Sequence, residues 1–115
     1  MRLAAVDIGS NAVRLLFCDI YPYQNSFRIK KTSLVRLPIR LGEDVFTDGK
    51  VSDKNMNKLV QTMHAFKNLT EVYDVIDFRV CATSAMREAQ NGPKIIEQIQ
   101  QETGIKVELL SLIHI

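Results

Sequence analysis

Leu3-Ala4-Ala5-Val6-Asp7-Ile8-Gly9-Ser10-Asn11-Ala12-Val13-Arg14-Leu15-Leu16 contains two apolar runs separated by turn-forming residues. The first run ends at Asp7, the chain turns through Gly9, Ser10 and Asn11, and a second run follows from Ala12 to Phe17. Short apolar runs bounded by turn residues mark strands, so the stretch predicts a tight β-hairpin. Gly9 accepts positive φ at no steric cost and Asn11 tolerates it, which would aim successive amides at one point and form an anion-binding concavity. Ser10 and Asn11 add side-chain donors. Arg14 adds a guanidinium suited to bidentate phosphate contact, and Asp7 a carboxylate suited to a divalent cation. The same residues also read as an ordinary hairpin turn in which Asp7 accepts bonds from backbone amides.

The 115-residue chain is long enough for one domain with a modest core, and its composition, 46% apolar and 24% charged, is that of an ordinary globular protein. Apolar runs are only a few residues long, and Met1-Arg2-Leu3 leads directly into a strand, not a signal peptide. The expectation is a cytoplasmic protein without a membrane partner. Cys18 and Cys81 lack ligand or redox spacing and read as buried free thiols, while His64 and His114 have no relay partner. Charge is uneven: residues 1–40 hold seven Lys and Arg (Arg2, Arg14, Arg28, Lys30, Lys31, Arg36, Arg40) against Asp7 and Asp19, a balance of +5, and the remainder of the +2 chain is −3. A basic bias around the turn suits a polyanion, with solvated strand faces the plainer reading, above all for Lys30 and Lys31. No nucleic-acid partner is expected.

A third strand is predicted from about Phe27 to Leu37, returning antiparallel after a turn over Tyr21–Asn25 and completing a meander. Pro38 to Phe46 reads as a loop with Gly42 as its flexible point; Glu43 and Asp44 are either solvated there or part of a cleft. Ser52 reads as an N-cap, and Met56, Leu59, Val60, Met63, Phe66 and Leu69 form one helical face to about Val72. Asp77 to Ala82 is a fourth strand, opening through Thr83 and Ser84 into a helix whose N-terminus favours an anion, with Arg87 one turn further on. By themselves, Thr83 and Ser84 equally suit an N-cap and Arg87 a surface cation. Pro93 restarts a helix that ends at Gly104, and Ile105 to Leu110 is a fifth strand. The order is β-β-β-α-β-α-β.

Asp7-Ile8-Gly9-Ser10-Asn11-x-x-Arg14-Leu15-Leu16, Arg40-Leu41-Gly42-Glu43 and Ala82-Thr83-Ser84-Ala85-x-Arg87-Glu88-Ala89 together resemble the signature segments of the exopolyphosphatase and guanosine pentaphosphate phosphohydrolase (Ppx/GppA) family. That family is a branch of the actin, heat-shock chaperone and sugar-kinase superfamily. The resemblance implies an α/β, ribonuclease-H-like domain with a mixed sheet, lacking its last helix. It implies phosphate binding by Gly9, Ser10, Asn11, Arg14, Thr83, Ser84 and Arg87, contact of Arg40 with a polyanionic substrate, and a divalent cation, Mg2+, held partly by Asp7. The implied substrates are inorganic polyphosphate or guanosine pentaphosphate, and the reaction is hydrolysis of a phosphoanhydride bond.

The resemblance runs from Leu3 to Ser111 and then breaks. The family continues Ser-Gly-x-Glu-Glu-Ala, whose glutamate is the general base, whereas this chain reads Ser111-Leu112-Ile113-His114-Ile115. No catalytic residue is therefore assigned. The expectation is an incomplete N-terminal subdomain over 1–111, a tail at 112–115 that departs from the pattern, and no second domain. Phosphate or metal binding without turnover follows, with self-association through apolar surface left uncovered. Two rival readings are an ATP-binding actin-like or sugar-kinase domain, against which Ser10, Asn11 and Arg14 weigh, and a noncatalytic interaction module.

Overall fold

The structure is a computed structural model and describes residues 1–110; Ser111 and the tail 112–115, where the family pattern breaks, lie outside the described residues. Its centre is β1 (Arg2–Ile8), in which Ala4, Val6 and Ile8 are buried and the alternate Asp7 is exposed. That period of two is the pleat of a strand with one face on the core. β2 (Val13–Tyr23) pairs antiparallel with β1, and β3 (Ser26–Leu37) antiparallel with β2. β4 (Asp77–Ala82) lies parallel to β1 on its other side, and β5 (Val107–Leu109) parallel to β4. The five-stranded sheet therefore runs β3-β2-β1-β4-β5.

Two long helices supply the core on one face. Within α2 (Asp53–Val72), Leu59, Met63 and Phe66 recur at helical spacing, and within α4 (Gly92–Thr103), Ile95 and Ile99 do so; all five join the buried cluster with Val6, Leu15, Val80 and Val107. The Ser52 hydroxyl caps α2 by accepting from the Asn55 amide at 3.2 Å, and Gly104 closes α4 with φ of +77°, as the sequence predicts. On the opposite face Leu3, Ala5, Asp7, Arg14, Leu16, Cys18, Arg79, Cys81 and Glu108 alternate with the core residues, and none of them is buried. The two cysteines are half-buried free thiols on that open face, and His64 is an exposed position of α2.

Four expectations are corrected. The loop at 38–46 is a helix from residue 41 on: α1 (Leu41–Asp48) buries Leu41, packs Val45 one turn later against the core, and ends at Gly49, whose φ of +75° lets its amide donate to the Val45 carbonyl at 2.8 Å. The helix opening at Ser84 and the one restarting at Pro93, counted as a single α in the expected order, are separate elements, α3 (Ser84–Glu88) and α4, because Ala89 turns extended with ψ of 132°. The order is thus β-β-β-α-α-β-α-α-β. The turn between β2 and β3 is shorter than Tyr21–Asn25, since pairing continues to Tyr23 and Ser26 and Gln24 takes φ of +54°. β5 spans only Val107–Leu109, not Ile105 to Leu110.

Candidate phosphate-binding site at the β1–β2 tip

Pairing of Ile8 with Val13 closes a four-residue tip over Gly9, Ser10, Asn11 and Ala12. The Gly9 amide donates to the Ala12 carbonyl at 3.0 Å, so it is spent inside the turn. Among the described residues positive φ occurs at Gln24, Gly49, Asp74 and Gly104, which corrects the left-handed geometry expected of Gly9 and Asn11. Glycine serves at position 9 by close approach instead: a Cβ there would lie 3.1 Å from the Ala12 carbonyl oxygen. What the tip presents is therefore side chains, with Asn11 exposed and Ser10 half-buried.

Two other segments hold Ser10 in place. β4 runs parallel to β1, so the Thr83 amide donates to the Ile8 carbonyl at 3.2 Å and the next residue, Ser84, comes level with the tip. The Ser10 and Ser84 hydroxyl oxygens are 3.0 Å apart across 74 residues of sequence. From α1, the Gly42 amide donates to the Ser10 carbonyl at 2.8 Å. A Cβ on residue 42 would stand 2.9 Å from the Ser10 Cβ, so Gly42 is where α1 backs onto the hairpin, not a flexible point. Ser10, Gly42, Val45, Phe46, Ser84, Ala85 and Glu88 line a cavity of about 310 Å³ between the tip, α1 and α3. α3 has only five residues, so the hydroxyls of Thr83 and Ser84, more than a helix dipole, are its means of meeting an anion.

Asp7 and Arg14 are register partners on β1 and β2 and share the open face, both exposed. Arg40 precedes α1 as its exposed N-cap residue, two positions before Gly42. Arg87 is directed elsewhere than the tip: its Nη1 donates to the Leu110 carbonyl at 2.7 Å, and its Nε is 3.7 Å from Glu88 Oε1. The structure thus brings Gly9, Ser10, Asn11, Thr83 and Ser84 together, sets Asp7 and Arg14 beside them, and turns Arg87 to the end of β5. No group of three His, Cys, Asp or Glu side chains suited to a metal occurs among the described residues. Asp7 is a single exposed carboxylate on the open face, opposite Arg14.

Supporting contacts surround the site. Asp44 Oδ2 accepts from the Ser52 amide at 3.0 Å and from Asn55 Nδ2 at 2.8 Å, tying α1 to the start of α2. Burial pushes the Asp44 carboxyl up, but the bonds from Ser52 and Asn55 outweigh it and hold the group below the usual carboxylate range. Asn91 bridges both backbone groups of Val51, accepting from its amide at 3.0 Å and donating to its carbonyl at 2.9 Å. Burial raises the Cys81 thiol, with Glu108 and Asp7 adding to the shift. The sequence reading passed over Gly42, Asp44 and Asn91 as determinants of this geometry. Asn91, next to Gly92 and Pro93, carries a local turn signal, and Gly42 reads along the chain as a loop residue.

Comparison with known proteins agrees with the geometry. The family model described as the Ppx/GppA phosphatase family matches residues 28–112. Exopolyphosphatase 1 of Mycobacterium leprae is 31% identical over 110 residues, covering 96% of this chain and 32% of that protein. A Ppx/GppA family member from Aquifex aeolicus superposes with a TM-score of 0.82 at 27% identity, covering 97% of this chain and 35% of that one. An exopolyphosphatase from Cytophaga hutchinsonii gives 0.80 at 27% identity, covering 96% and 34%. The chain spans about a third of the length of these relatives. The α/β, ribonuclease-H-like arrangement expected from the sequence is the one these solved structures share. With the family model matching most of this chain and the fold superposing on a solved family member, the chain belongs to the Ppx/GppA phosphatase family.

Proposed function

We propose that the chain is the phosphate-binding N-terminal subdomain, over residues 1–111, of a cytoplasmic phosphohydrolase that releases the terminal phosphate of inorganic polyphosphate or guanosine pentaphosphate. The observation that carries the reading is the 3.0 Å approach of Ser10 to Ser84, which joins two motifs distant in sequence at one point. Hydroxyls of Ser10, Thr83 and Ser84 and the Asn11 amide would donate to phosphate oxygens, with the Arg14 guanidinium beside them. Asp7 would hold Mg2+, whose chemistry is to offset charge on the phosphoryl oxygens. Catalysis of phosphoryl transfer is mostly positioning and charge neutralisation, and this site offers both. Ser111 to Ile115 carry no glutamate where the family resemblance places its general base, so no residue of this chain is assigned that role.

The test is calorimetric titration of the chain with inorganic polyphosphate in the presence of Mg2+, alongside an assay of phosphate release. Saturable binding weakened about tenfold or more by Arg14→Ala, with no release, is the expected result. Unchanged affinity in that variant would favour a noncatalytic interaction module.

A further inference from the structure

Arg14 has a second register partner besides Asp7: on its other side it lies directly opposite Arg36 of β3. The flanking pairs, Val13 with Leu37 and Leu15 with Val35, point into or against the core. Alternation therefore sends Arg14 and Arg36 together onto the open face, in the same row as Asp7. Both are exposed, and among the described residues neither enters an ion pair or side-chain hydrogen bond. Directly opposed residues of an antiparallel pair have Cβ atoms about 5 Å apart, and like charges so placed destabilise the pair. One carboxylate, Asp7, cannot neutralise two guanidiniums. An anion over the row would relieve this repulsion.

We propose that Arg36, paired with Arg14, binds a second phosphate group beside the one at the hairpin tip, so that the site takes linked phosphates in preference to a single orthophosphate. This rests on the reading of the tip as a phosphate site and adds a specificity-determining residue to it. Adjacent strands lie about 4.8 Å apart, close enough for two phosphates sharing a bridging oxygen to meet one guanidinium each. β3 is the edge of the sheet, so beyond Arg36 the ligand meets solvent and not another strand. Four residues later the exposed Arg40 leads into the helix whose Gly42 holds Ser10. The register is confined to this end of the ribbon, because a bulge after Leu15 shifts the pairing from Leu16 onward.

The experiment is calorimetric titration of the 115-residue chain with orthophosphate and, separately, tripolyphosphate, using wild type, Arg36→Gln and Lys31→Gln, together with thermal melting without ligand. Lys31 shares the open face opposite Cys18 and removes the same charge away from the row. Arg36→Gln should lose about tenfold in tripolyphosphate affinity, keep orthophosphate affinity within about twofold, and melt at the same or a higher temperature. Lys31→Gln should leave both affinities in place. Equal losses in the two variants, or an Arg36→Gln protein that binds tripolyphosphate as tightly as wild type, would overturn the assignment while leaving the tip site standing. A wild-type chain that binds neither anion would remove the tip site and this one together.

Discussion

Gly42 and Ser10 meet backbone to backbone, the Gly42 amide donating to the Ser10 carbonyl at 2.8 Å with space for no Cβ between them. Alanine at 42 would gain about 1 kcal/mol of helix propensity and lose about 1–3 kcal/mol to overpacking. The crowding atom is a Cβ fixed to the hairpin backbone, so the steric cost wins and α1 or the tip moves. Gly42→Ala should destabilise slightly and weaken phosphate binding several-fold, which melting and titration of one sample would separate.

Ser84→Ala removes one end of the hydroxyl pair that joins the two motifs. The pair is exposed, so stability should fall by less than about 1 kcal/mol. Polyphosphate affinity should fall further, by about threefold to tenfold, and Ser84→Thr should restore much of it. A loss of stability as large as the loss of affinity would mean that the serine is structural.

Asn91→Ala should be the costly substitution away from the site. It leaves the amide and carbonyl of Val51, a residue 1% exposed, without their side-chain partner. The expected loss is about 2 kcal/mol, or about 8 °C in melting temperature for a domain of this size.

Stability should fall in acid. Asp44 is held below the usual carboxylate range by its Ser52 and Asn55 bonds despite burial, and Asp19 by its hydrogen bond to Arg2. A depressed folded pKa stabilises fully above the unfolded value of about 3.9 and less as pH falls through the folded value. Melting temperature measured from pH 6 down to pH 2 should drop below about pH 4, and Asp44→Ala should make that drop shallower while lowering the plateau.

Phe27 and Ile29 are 72% and 63% exposed on the edge strand, and by register they share the open face with Leu16 and Cys18. Contiguous apolar surface of this kind favours association. Sedimentation velocity should show concentration-dependent association that Phe27→Thr with Ile29→Thr reduces; a monomer at every concentration would rule it out.

Where local chemistry dictates a boundary, the sequence was readable: Ser52 and Gly104 mark helix ends, and the run Asp77 to Ala82 is a strand with those limits. The first helix was hidden because Gly42, a poor helix residue, is tolerated there for packing against Ser10, a contact invisible along the chain. That Asp7, Ser10, Arg14 and Ser84 lie at one edge was legible, since hairpin and parallel strand must place them there. The direction of Arg87 was not legible, because its partner, the Leu110 carbonyl, lies just past the end of β5. Arg36 stood out only as one basic residue among seven; opposition to Arg14 depends on register, which the bulge and turn set.

The parallel pairing of β1 with β4 joins residues 2–8 to residues 77–82, whereas β1, β2 and β3 are joined by short turns. During synthesis the meander has all its partners long before β4 emerges, and closing so distant a pair is the slow part of folding. Ser10 therefore waits for Ser84. A phosphate bridging the two, as proposed, would stabilise only the chain whose sheet is complete, and ligand concentration should then set the fraction of molecules that reach and keep the native state.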